Sequence, residues 1–95
     1  MSGYRIHRQV TEFGEHVRGW RMVLGLTAQQ VSERAGITRD TLRKIESGNP
    51  NVSFNSVTQV LRALGILDQI VDAADPLASD IGRLRAGRLT RKRAR

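Results

Sequence analysis

An all-α fold, five short helices followed by a basic tail, is what this 95-residue sequence predicts, and three observations carry the prediction. Apolar residues recur at spacings of three and four, threonine or serine precedes several of these stretches, and a glycine closes most of them. No stretch alternates apolar and polar residues in the manner of a strand, and no internal repeat is present. At this length only about 60–65% of the unfolded surface can be buried, which suffices for one core and one domain.

Residues 1–9, with Tyr4, Arg5, Ile6, His7 and Arg8, show no helical period and read as an N-terminal arm, either a short strand or a flexible segment. From Val10 the apolar positions Val10, Phe13, Val17, Trp20 and Leu24 fall on one face of a first helix ended by Gly25, which places Trp20 in the core. Thr27 precedes Gln30 by three residues, a capping-box spacing, so a second helix is expected over about 28–35. Gly36 supplies the left-handed residue after it, and Thr38 caps a third helix that carries Leu42 and Ile45 and stops at Gly48 and Pro50. Phe54, Val57, Val60, Leu61 and Leu64 mark a fourth helix after Ser53, closed by Gly65. A fifth, with Leu67, Ile70, Val71 and Ala74, is too short to be stable without packing on something. Residues 10–74 are thus the domain, and 75–95, rich in arginine with Gly82 and Gly87, are expected to be disordered when free.

Charge is segregated along the chain. The net charge is +7, yet residues 1–82 hold nine Lys or Arg against nine Asp or Glu, so all of the excess lies in 83–95, with seven bases and no acid. Within the remainder, 68–80 holds four aspartates (Asp68, Asp72, Asp75, Asp80) and no base. A basic body, an acidic collar and a basic end suggest a polyanionic partner, with competition between the collar and that partner. Without cysteine there is no disulfide framework or thiolate metal site, and two histidines, His7 and His16, are too few for a histidine site; neither metal nor cofactor is expected. Ser32, Glu33 and His16 form no nucleophile–base set at a recognisable spacing, so an enzyme is not expected. The N-terminus lacks the apolar run of a signal peptide and no segment could span a bilayer, which reads as a cytoplasmic protein.

Two helices joined by a tight glycine turn let the first brace the DNA backbone while the second enters the major groove. The segment LGLTAQQVSERAGITRDTLRKIESG, Leu24 to Gly48, resembles the helix-turn-helix of the phage repressor and Cro family, also called the XRE family, over about residues 13–74. The resemblance implies a five-helix, repressor-like domain that places residues 38–47 in the major groove of double-stranded DNA, in a bacterial regulator working at the nucleoid. It also implies an ion pair of Arg21 with Glu46 that supports the fold. Helix geometry agrees, because Glu46 falls near the side of Leu42 and Ile45.

On the same helix Arg39, Asp40, Arg43 and Lys44 occupy the positions at which the family reads bases. Arginine suits the task, since its fork bonds guanine O6 and N7 together. Asp40 can accept from cytosine N4, act as an acid favoured in a first helical turn, or brace Arg43 or Lys44. Phosphate contacts are expected from Thr27, Gln29 and Gln30 at the start of the second helix, from Thr38 and Thr41 at the start of the third, and from Ser47, Asn49 and Asn51 after it. The last three are equally well explained as polar turn formers. Where the family usually has glutamine this chain has Ala28, leaving one DNA contact for Gln29 to replace in part.

A homodimer is expected to read a near-palindromic operator with its recognition helices about 34 Å apart, joined through Ile66, Leu67, Ile70 and Val71. The tail cations Arg83, Arg85, Arg88, Arg91, Lys92, Arg93 and Arg95 could grip phosphates, order on an acidic protein, or serve only solubility. Small single-domain XRE proteins with an appended tail also resemble HipB-like antitoxins, which bind a toxin, often a HipA-like kinase, and repress their own operon. Repressor and antitoxin are therefore the two functions that the sequence suggests.

Overall fold

Four of the five expected helices begin or end on residues that satisfy the backbone groups a helix leaves free, and the caps fix the element boundaries. In the computed structural model, which describes residues 3–93 and the side chains of 5–90, the helices are α1 (Gly3–Val23), α2 (Ala28–Ala35), α3 (Arg39–Glu46), α4 (Phe54–Ala63) and α5 (Leu67–Ala74). A 3₁₀ turn (Pro76–Ala78) and two short helices, α6 (Asp80–Leu84) and α7 (Gly87–Arg93), follow. The Thr27 hydroxyl accepts the Gln30 amide at 3.0 Å while Gln30 Oε1 accepts the Thr27 amide at 2.9 Å, the reciprocal capping box that the spacing predicted. Thr38 and Ser53 cap α3 and α4 in the same one-sided way, each accepting the amide three residues on.

Packing follows from these starts. Val31, Leu42 and Val60 are essentially sealed from solvent and, with Val17, Ala35, Ile45, Leu61, Leu64 and Ile66, form a single core between α1, α2, α3 and α4. Burying a side chain of this size contributes about 1.5–3 kcal/mol. The turn between α2 and α3 is held by Gly36 at φ +69°, and the Arg62 guanidinium on α4 reaches back to the Arg34 carbonyl at 2.9 Å, closing the end of α2. The one fully buried polar side chain among the described residues, Ser32, donates to the Ala28 carbonyl at 2.7 Å.

Several expectations are corrected. Residues 3–9 are neither strand nor loose arm; they are the first turns of α1, which extends the first helix well ahead of Val10. The tail is helical through Arg93 rather than irregular, in three short pieces, so the described residues hold seven α-helices where five were expected. Trp20 is 40% exposed, not a core residue. The covered line of α1 runs through Val10, Gly14, Val17 and Arg21, and at 100° per residue Trp20 stands at its edge. Phe54, the first residue of α4, lies outside the core and is 82% exposed. No helix among the described residues is long and apolar enough to cross a membrane.

Candidate nucleic-acid interface

α3 is two-sided. Leu42 and Ile45 are buried beneath it, and Arg39, Asp40, Arg43 and Lys44 are exposed along the other side. Both of its ends are anchored. At the start is the Thr38 cap; at the end Gly48, at φ +81°, donates to the Ile45 carbonyl at 3.1 Å and Asn49 donates to that of Lys44 at 2.9 Å. Here α1 approaches with no side chain between the two backbones. A Cβ at Gly14 would lie 2.5 Å from the Ile45 carbonyl oxygen and 2.7 Å from that of Glu46; one at Gly48 would lie 2.6 Å from the Thr11 Cα. Only glycine permits this contact.

The expected ion pair reinforces the contact. Arg21 Nε donates to Glu46 Oε2 at 2.8 Å and Nη2 to Oε1 at 3.0 Å, while Nη1 reaches the Leu26 carbonyl at 3.3 Å. Both side chains are largely buried, at 15% and 10% exposure. The bonds to Glu46 hold the Arg21 pKa above its ordinary value against the opposing effect of burial. Hydrogen bonds to charged groups contribute about 1.5–3 kcal/mol, so this fork ties α1, the turn before α2 and the end of α3 together.

Asp40 does not point its carboxylate freely outward. Arg43 Nη2 donates to its Oδ1, and Lys44 Nζ lies 3.3 Å from its Oδ2, so both oxygens are engaged by cations of the next turn. The hydrogen bonds from Arg43 and then Lys44 lower the Asp40 pKa below the usual carboxylate value. Arg43 and Arg39 line an open groove of about 640 Å³ between α1 and α3, together with Arg18 and Ala28. Arg18 was not among the sequence candidates. Its only signal is its charge, because its place beside α3 depends on how α1 packs.

Several phosphate candidates already have partners within the chain. Gln29 donates to Glu33 Oε2 at 2.8 Å, Gln30 Oε1 is held in the capping box, and the Thr38 and Thr41 hydroxyls are 2.9 Å apart. The Ser47 hydroxyl donates to the Lys44 carbonyl at 3.0 Å, and Asn49 Oδ1 accepts the Asn51 amide at 2.8 Å, the turn-forming roles weighed for these residues. Thr27, Asn51 and the start of α2 lie at the surface.

The expected dimer residues do not share one face. Ile66 is 6% exposed because its own chain covers it, which removes it from any contact between copies, and Leu67 packs partly on the core. Ile70 and Val71 are exposed. In the tail Arg83 pairs with Asp80 and donates to the Leu77 carbonyl at 2.9 Å, while Arg85 and Arg88 are exposed. Arg95 lies outside the described residues, as do the side chains of Arg91, Lys92 and Arg93.

Residues 12–74 match the family described as helix-turn-helix domain. The chain belongs to this family, in agreement with the resemblance carried by Leu24 to Gly48. Among curated proteins it is similar to an uncharacterized HTH-type transcriptional regulator of Methanothermobacter thermautotrophicus, 39% identical over 49 residues, which cover 52% of this chain and 71% of that protein. No solved structure matches it.

Proposed function

We propose that this chain is a sequence-specific DNA-binding regulator of transcription that inserts α3 into the major groove and acts as a repressor, as a homodimer on a near-palindromic operator. The observation that carries the reading is the division of α3, buried through Leu42 and Ile45 and anchored at both ends, with Arg39, Arg43 and Lys44 exposed along its other side. In this reading Arg39 and Arg43 read base edges, and Arg18 with the free amides at the start of α2 takes phosphate. Asp40 braces Arg43 and Lys44, which the two ion pairs support. The protein acts in the cytoplasm, by binding rather than catalysis.

The test is selection from a randomised duplex library with the full chain and with Arg43→Ala. A two-fold related site should emerge, and Arg43→Ala should relax one position in each half by about 1–3 kcal/mol of discrimination. Absence of any sequence preference at every salt concentration defeats the reading. A second function, that of an antitoxin that also binds a toxin such as a HipA-like kinase, is favoured by the exposed Ile70 and Val71. A toxin-like reading frame beside the gene, and co-purification of its product with this chain, distinguish the two.

A further inference from the structure

Positive charge is concentrated at two separate places in this chain. Residues 1–67 carry nine Lys or Arg against five Asp or Glu, residues 68–82 carry four aspartates and no base, and residues 83–95 carry seven bases and no acid. The first excess belongs to the domain that presents α3. The second lies outside residues 12–74, the part of the chain that matches the helix-turn-helix family, so the DNA contacts of that domain do not account for it.

The segment that leads to the second excess is built as an arm. Asp75 Oδ1 accepts the Leu77 amide at 2.9 Å, Ser79 accepts the Gly82 amide at 3.0 Å, and the Ser79 hydroxyl donates to the Pro76 carbonyl at 3.0 Å. Gly82 seats α6 directly on that carbonyl, where any Cβ would collide. Residues 75–84 are thus an elbow held by its own hydrogen bonds, and α7 follows it. The radius of gyration is 16.3 Å, against about 12 Å for a compact chain of this length, so the molecule is drawn out rather than spherical. An arm with a set direction loses less freedom on binding than a loose chain does.

The cations of the arm are available, and their arrangement suits a linear polyanion. Arg83 pairs with Asp80, whereas Arg85 and Arg88 are exposed and form no ion pair among the described residues. Four of the bases, Arg88, Arg91, Lys92 and Arg93, fall within α7, which spans about 10 Å of helix, a length over which duplex DNA carries about six phosphate charges. All but one of the seven bases are arginine, whose fork bonds phosphate oxygens in pairs. Phosphate repels the aspartates of 68–80, which keeps α5 off the duplex and leaves the arm beyond it to make the contact. Leu84 and Leu89 are exposed as well. A partner that met these two alone would leave the cations unmatched, whereas DNA matches the cations and leaves the leucines in the water that they already face.

We infer that residues 83–95 form a second DNA-binding element, which grips the phosphate backbone irrespective of sequence while α3 reads bases. The chain can then remain on DNA of any sequence and sample it with α3. This rests on the DNA-binding reading above and goes beyond it in assigning the tail. The two fail separately: sequence preference tests α3, and salt dependence on an unrelated duplex tests the tail even if no operator emerges.

The experiment measures affinity against salt concentration by fluorescence anisotropy, on a duplex carrying the selected operator and on one of unrelated sequence, with every full-length variant checked by circular dichroism. R88Q/R91Q/K92Q/R93Q should flatten the slope of log affinity against log salt by about 3.6 on both duplexes, four contacts at about 0.9 each, and leave the ratio of the two affinities unchanged. R88K/R91K/R93K should keep the wild-type slope, which separates charge from helix integrity. Asp80→Asn, which releases Arg83, should steepen the slope by about 0.9. An unchanged slope in the glutamine chain overturns the proposal, even if that chain loses an acidic protein partner. So does a changed preference between the two duplexes, or a lysine chain that falls with the glutamine one.

Discussion

At the scale of single residues, ionisation distinguishes structural charge from charge available to DNA. The Arg21–Glu46 fork is largely buried and satisfied, whereas on α3 Arg43 and Lys44 are exposed and tied only to Asp40. Because the Asp40 pKa is lowered on folding, its contribution is fully present above the ordinary carboxylate range and is lost as pH falls through the lowered value. At neutral pH the brace is therefore intact. Side-chain NMR should give Asp40 a titration midpoint below about 3.9, the ordinary aspartate value, and Arg43→Ala should move it upward. An unchanged midpoint in that variant would show that Arg43 is not the group holding the carboxylate.

At the scale of elements, the contact of α1 with the end of α3 sets the position of the reading helix, and glycine decides it. Gly14 and Gly19 both lie inside α1, but a Cβ at Gly14 meets backbone at 2.5 Å while one at Gly19 meets nothing within 4 Å. Replacing a helical glycine by alanine is favourable by about 0.5–1 kcal/mol where there is room, whereas overpacking costs typically about 1–3 kcal/mol. Gly19→Ala should raise the urea midpoint and Gly14→Ala should lower it. Equal shifts would remove the close approach as the reason for glycine. The same pair shows what the sequence made legible. Caps and helix ends at Thr27, Gly36, Thr38 and Gly48 depend on neighbours along the chain, and they were read with boundaries within a residue or two. Gly14 and Arg18 derive their roles from α3, and no local pattern announces a partner so far along the chain. Trp20 misled for a related reason, since the buried line of α1 passes through a glycine and an arginine that an apolar period does not count. The turns of 3–9 and 76–93 carry too few apolar repeats to show as helix at all.

At the scale of the whole molecule, the cations fall into those beside α3 and those in the tail, and salt should separate them by what they touch. Arg18→Ala is expected to weaken DNA binding equally across sequences and to flatten the dependence of log affinity on log salt by about 0.9, the loss of one phosphate contact. A changed sequence preference would instead make Arg18 a base reader. The framework around α3 is complete without its outward residues: the core lies beneath, the cap and the glycine turn hold its ends, and the fork to α1 fixes its angle. Arg39, Arg43 and Lys44 are exposed and take no part in that framework. Such a domain can acquire a new target by exchanging a few surface letters while its stability is inherited unchanged, so descendants of one ancestor can diverge in what they regulate without first having to refold.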